Sequence, residues 1–161
     1  MRIGVVSDTH DHLANVARIV EILNDAGVER VVHTGDITKA RTLDVLARLR
    51  APLVGVYGNN DRERESLEAA AARHGFEIVD PPLALEWAGR RVLVVHDPRE
   101  LAGLAVARFD VALHGHDHRR GVEQRGSTLV FNPGECAGHL RGHNAVGILD
   151  LERLAARVEL F

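Results

Sequence analysis

The sequence predicts an α/β fold, a four-layer α-β-β-α sandwich with two mixed β-sheets. Three observations lead there. In the first half of the chain, short apolar runs alternate with stretches of helical periodicity. That is the order of parallel strands joined by right-handed crossovers. The second half is strand-rich, punctuated by Gly-containing turns, and reads as antiparallel or mixed pairing. Several apolar runs end in a carboxylate, an amide or an imidazole, and open α/β sheets bind ligands beyond the carboxyl ends of their strands.

The elements follow in order. Residues 3–6 form an apolar run, read as a buried strand ending at Ser7-Asp8-Thr9-His10. On a locally extended backbone, Asp8 and His10 face the same side, as a chelating pair would. Leu13, Val16, Val20 and Leu23 recur at helical spacing, with Gly27 as the stop. A second strand begins at Arg30 and ends at Gly35-Asp36. A helix is expected over 42–49, closed by Pro52, then a strand over 53–57 that runs into Gly58-Asn59-Asn60-Asp61. Residues 63–74, rich in Ala, Glu and Arg, read as a helix stopped by Gly75. Segments 76–79 and 84–87, on either side of Pro81-Pro82, are expected to pair with each other. Residues 91–95 form a strand ending at His96, and a short helix is expected over 99–108. The strand at 111–113 delivers His114-Gly115-His116-Asp117-His118. Strand-rich segments at 121–124, 128–131, 145–151 and 155–160 complete the chain.

At 161 residues this reads as a single domain over 1–161. It is long enough to bury roughly 70% of its unfolded surface. A net charge of −3 is too small to imply a nucleic-acid or membrane surface. The one cysteine, Cys136, cannot form an internal disulfide, no stretch approaches transmembrane length, and the start does not read as a signal peptide. A cytoplasmic location is expected, with no membrane and no stable nucleic-acid complex, and with room for a homo-oligomer.

Seven residues at strand ends carry the chemistry: Asp8, His10, Asp36, Asn59, His96, His114 and His116. Structural zinc sites usually take four ligands, often thiolates, and there is no cysteine cluster here. Seven nitrogen and oxygen donors suit two divalent ions that share a bridging carboxylate. Asp36 is the carboxylate best placed to bridge. The donor set fits Mn, Ni, Fe or Zn, availability rather than ligand type decides among them, and Mn is the expected metal.

The ordered motifs D-x-H, G-D, G-N-x-D, H and G-H-x-H resemble those of the calcineurin-like metallophosphoesterases. They stand here as Asp8-Thr9-His10, Gly35-Asp36, Gly58-Asn59-Asn60-Asp61, His96 and Gly115-His116-Asp117-His118. The last is preceded by His114 and is aligned as His114-Gly115-His116, with Leu113 in place of its first Gly. Asn132-Pro133-Gly134 is similar to a turn of the small stand-alone prokaryotic members. The resemblance spans residue 3 to about residue 151.

By that resemblance, Asp8, His10, Asp36 and His116 hold the first of two divalent ions. Asp36, Asn59, His96 and His114 hold the second. It implies a phosphodiesterase acting on small phosphodiesters through attack of metal-bound hydroxide. The alternatives are a phosphomonoesterase with the same site, or a metal-binding protein-interaction scaffold of the same fold. Two departures stand out. Asn60 occupies a position that is His in many members, and an amide cannot supply a proton at neutral pH. Glu135 occupies a position that is Ser in many members.

The other polar residues have plainer expectations. His33, inside a strand, reads as a hydrogen-bonded core residue. His12 and His118 are divided between the site and the surface. Asp61 is expected to cap the helix that follows or to orient a ligand, and the cap reading is sufficient. Cys136 reads as a small turn residue, and Arg62 and Arg64 as a solvated helix face.

Overall fold

The computed structural model describes residues 1–139 and 142–161. The first half runs β1 (Arg2–Val6), α1 (Leu13–Ala26), β2 (Arg30–His33), α2 (Ala40–Leu46), β3 (Leu53–Val56), α3 (Arg64–His74) and β4 (Glu77–Val79). The second half adds β5 (Leu83–Trp87), β6 (Arg90–Val94), β7 (Val111–Leu113), β8 (Gly121–Arg125), β9 (Thr128–Asn132), β10 (Ala145–Asp150) and β11 (Ala155–Leu160). One sheet has six strands in the order β11-β10-β1-β2-β3-β4, and the other has five in the order β5-β6-β7-β9-β8. Both are mixed. β1 to β4 are parallel, with β10 antiparallel to β1. β6, β7 and β9 are parallel, flanked by antiparallel β5 and β8.

Side-chain alternation assigns the layers. Ile3 and Val5 of β1 face the other sheet and meet Val94, Val111, Leu113 and Phe131 in a dry inter-sheet core. Val6 faces the helices and joins Val16, Ile19 and Leu23 of α1. Gly4 also faces that way, where a Cβ would lie 2.8 Å from Leu23. α1 forms because its apolar residues share one face, and it ends at Gly27, which takes the left-handed φ of +62°. Its N-cap is His12, whose side chain accepts from the Asn15 N–H. Leu93, Val95, Ala112 and Val130 line the outer face of the second sheet and are covered by Leu101, Leu104, Val106 and Phe109.

Two expectations are corrected. Segments 76–79 and 84–87 do not pair. β4 extends the first sheet beside β3, while β5 lies antiparallel to β6 in the second. Pro81-Pro82 links the sheets rather than forming a hairpin. The helix expected over 99–108 is two 3-10 turns, Pro98–Gly103 and Val106–Arg108. Gly103, a poor helix former, falls in the middle of the expected helix, where the first turn ends.

Candidate metal centre

Parallel register brings the strand ends together. Val6 lies opposite His33, and the next loops hydrogen-bond directly: Asp8 N to Gly35 O at 3.1 Å, and His10 N to Asp36 O at 3.0 Å. The second sheet presents its ends to the same place. His96 Nδ1 lies 2.9 Å from the Thr34 carbonyl. That bond takes the ring N–H at Nδ1 and leaves the Nε2 lone pair for the centre. Gly115 N donates to His96 O at 3.0 Å, which ties the two second-sheet loops together. The approach is so close that a Cβ on Gly115 would lie 1.8 Å from Ser7 Oγ. One on Gly58 would lie 2.2 Å from Asp36 Oδ1. Glycine is required at both.

Asp8, His10, Asp36, His116 and His118 all have left-handed backbone, with φ between 42° and 73°. Non-glycine residues pay for that conformation and hold it only where their surroundings enforce it. This changes the expected basis of the Asp8–His10 pair. The two converge through a left-handed turn, not along an extended strand.

The donors fall into two groups around Asp36, which is 1% exposed. Asp36 Oδ2 lies 3.3 Å from His10 Nε2, and Oδ1 lies 3.4 Å from His96 Nε2. On the first side, His118 Nε2 lies 3.4 Å from Asp8 Oδ1, and His10 Nε2 lies 3.8 Å from it. On the second side, Asn59 Oδ1 is 3.0 Å from both His96 Nε2 and His116 Nδ1, which are 3.3 Å apart. Donors about 2.1 Å from one ion are about 3.0–3.4 Å from one another, so these separations fit shared coordination. Asp8 Oδ1 and His10 Nε2 are buried and have no hydrogen-bond partner among the described residues. A buried carboxylate oxygen and an imidazole nitrogen left so are costly unless a cation takes them up.

Of the seven residues expected from the sequence, Asp8, His10, Asp36, Asn59, His96 and His116 are gathered here. His114 is not. Val111 and Leu113 face the inter-sheet core, Ala112 faces outward, and His114 follows the same alternation outward. Its Nδ1 lies 3.3 Å from its neighbour's carbonyl at Gly115, and it lines a separate surface cleft with Arg119 and Arg125. His118 stands in the centre instead. His116 also faces Asn59 and His96, the group opposite the one inferred from the sequence. The signal for this was present as Gly115-His116-Asp117-His118, which carries the G-H-x-H spacing without requiring a Gly at Leu113.

Supporting groups set the ligand geometry. Glu135, 2% exposed, lies with Oε2 2.6 Å from His118 Nδ1. This carboxylate places the ring proton on Nδ1 and turns Nε2 toward Asp8. Asp61 does not cap a helix. α3 starts at Arg64, and the buried Asp61 carboxylate instead accepts the backbone N–H groups of Gly58, Asp36 and Thr38 at 2.7, 3.0 and 2.6 Å. Hydrogen bonds to a charged group contribute about 1.5–3 kcal/mol each, so Asp61 locks two ligand-bearing loops together. Asn60 lies against Asp36, with its backbone N–H 2.9 Å from Oδ1 and its amide nitrogen 2.7 Å from Oδ2.

The electrostatics follow the geometry. Burial pushes the Asp8 carboxyl up, but His10 and Ser7 beside it outweigh this and hold it below its ordinary value. The Asp8 carboxylate, opposed in part by burial, holds His10 above the usual imidazole value. His33 is fully buried. It accepts from Gly35 N–H at Nδ1 and pairs Nε2 with Thr9 Oγ1 at 3.1 Å. Burial pushes its pKa down to about 4. It is the neutral core histidine that its place in a strand implied. Burial pushes the Cys136 thiol up to about 12, which removes it as a nucleophile at neutral pH.

A cluster of carboxylate, imidazole and amide donors at the meeting strand ends of a two-sheet α/β sandwich defines a metal-dependent enzyme centre. Comparison with known proteins agrees. Residues 1–154 match the calcineurin-like phosphoesterase superfamily domain. The chain is 37% identical over 157 residues to the phosphodiesterase MJ0936 of Methanocaldococcus jannaschii, covering 95% of both chains. It is 27% identical over 173 residues to the phosphodiesterase YfcE of Escherichia coli strain K12, covering 96% of this chain and 90% of YfcE. A solved archaeal phosphodiesterase superposes with a TM-score of 0.92 at 36% identity over the full length of both chains. The chain belongs to the calcineurin-like phosphoesterase superfamily. Membership implies a hydrolase of phosphoric esters that works with divalent metal ions.

Proposed function

We propose that this protein is a phosphodiesterase that hydrolyses small phosphodiesters at a two-ion centre, with Mn²⁺ as the preferred metal. Asp8, His10, Asp36 and His118 are assigned to one ion, and Asp36, Asn59, His96 and His116 to the other. The observation that carries this reading is Asp36, whose two oxygens face His10 on one side and His96 on the other. Divalent ions held by these residues would supply Lewis-acid polarisation of a phosphoryl oxygen and a water made nucleophilic near neutral pH. The protein's own contribution is orientation. Thr34 O and Glu135 direct the lone pairs of His96 and His118 inward. Asp61 fixes the loops that carry Asp36 and Asn59. The diester preference draws on the two named relatives, both phosphodiesterases. It also draws on Asn60, whose amide cannot supply a proton to a poor leaving group.

The test is turnover of bis(p-nitrophenyl) phosphate against p-nitrophenyl phosphate by the Mn²⁺-loaded protein. These share a leaving group, and faster diester turnover is expected. Asp36→Asn should abolish it and lose both ions. A faster monoester, or an Asp36→Asn protein that keeps two ions, would contradict the reading.

A further inference from the structure

A cleft of about 480 Å³ opens directly beside the Asn59, His96 and His116 donors. Its volume suits a small organic group. One wall is built from Tyr57, Arg64 and Pro81. The Arg64 guanidinium carbon lies 3.6 Å above the centre of the Tyr57 ring. The edge of the same guanidinium pairs with Asp80, the residue before Pro81. A guanidinium is planar and its N–H groups lie in its plane. The Asp80 pair therefore uses an edge and Tyr57 occupies one face, while Arg64 and Tyr57 both line the cleft. The Arg64 side chain is 39% exposed, so part of it is within reach of a ligand.

The charges in the cleft argue against a second phosphate there. Arg64 is neutralised by Asp80. On the far wall, Arg99 grips both oxygens of Asp97 through Nε, at 3.0 and 2.8 Å, and Glu100 adds another carboxylate. Neither guanidinium is a free cation awaiting an anion. What the wall offers is a flat, polarisable platform with an apolar proline beside it. Such platforms take planar rings by stacking.

We infer that this cleft receives a planar, uncharged ring of the substrate, stacked on the Arg64 guanidinium, so that the preferred diesters are nucleoside-like. The inference rests on the phosphodiesterase reading for the position of the phosphate, and it makes Arg64 a specificity residue. It also revises the expectation that Arg64 is merely part of a solvated helix face.

The test is calorimetric titration of the Mn²⁺-loaded protein with thymidine 5′-monophosphate and with methyl phosphate, which differ in the ring-bearing group. The nucleotide is expected to bind at least about 5-fold more tightly. Arg64→Lys keeps the charge but removes the plane, and should bring the ratio close to one while leaving methyl phosphate binding unchanged. Arg64→Ala should do the same. Arg64 lies on the surface at the start of α3, and a thermal melt of each variant checks that the fold is kept. Equal affinities in the parent protein, or a preference that survives both substitutions, overturns the inference. Failure of the phosphodiesterase reading shows separately, as absent turnover of bis(p-nitrophenyl) phosphate, and the binding ratio remains readable in that case.

Discussion

Asn60 is the residue where this chain departs most from the chemistry its motifs suggest. Its amide donates to Asp36, so it serves the centre as a hydrogen-bond donor and not as an acid. Three further imidazoles lie nearby, and one of them, His139, stacks on His118 with ring centroids 5.4 Å apart. His118 lies between Asp8 and Glu135, and His12 caps α1. General acid catalysis contributes about 10²–10⁴-fold, most where the leaving group is basic. We predict that the rate falls steeply along a series of aryl phosphodiesters as leaving-group pKa rises. Asn60→His should flatten that dependence. A shallow slope in the parent protein would mean that another group supplies the proton.

At the scale of strands and loops, the site was legible in one respect and not in another. Hydrophobic runs ending in Asp, Asn or His could be read directly, because parallel strands bring their carboxyl ends to one edge. Which histidine after β7 faces that edge could not be read from the run alone. It depends on the alternation Val111 in, Ala112 out, Leu113 in, which carries His114 out. It depends also on the left-handed turns at His116 and His118, which bring the chain back. For Asp61 the cap reading fails and the ligand-orienting one holds, for a similar reason. Helix-cap statistics describe the residue's own neighbourhood, whereas its carboxylate is used by a loop 25 residues earlier. The register yields a paired prediction. His118→Ala should lower phosphodiesterase activity at least about 100-fold and weaken metal binding. His114→Ala should leave metal content unchanged and activity within a few-fold. The reverse order in metal analysis and turnover would restore His114 to the centre.

The whole molecule rests on cores that do not involve the site. The pairing of β4 and β5 with different sheets was hidden from the sequence, since short apolar segments carry no label for their partner. The buried His33 ties overall stability to pH. Its pKa in the folded chain is about 4, against about 6.5 when unfolded. Between those values the unfolded chain binds a proton that the folded chain does not. Stability therefore falls as pH falls. The contribution is fully present above about pH 6.5, and roughly 3 kcal/mol is lost by about pH 4. Urea unfolding of the metal-free protein at pH 7, 5.5 and 4.5 should show this loss, and His33→Gln should remove that part of the slope. Equal slopes in the two proteins would assign the pH dependence to other groups.

The central claim is that two ions share Asp36, with His118 on one side and His116 on the other. Anomalous diffraction from Mn²⁺-soaked crystals tests it most directly. The account predicts two peaks about 3.5–4 Å apart, the spacing of two-metal hydrolytic centres. Asp36 should lie between them, Asp8, His10 and His118 around one, and Asn59, His96 and His116 around the other. A single peak, or a peak liganded by His114, would contradict it.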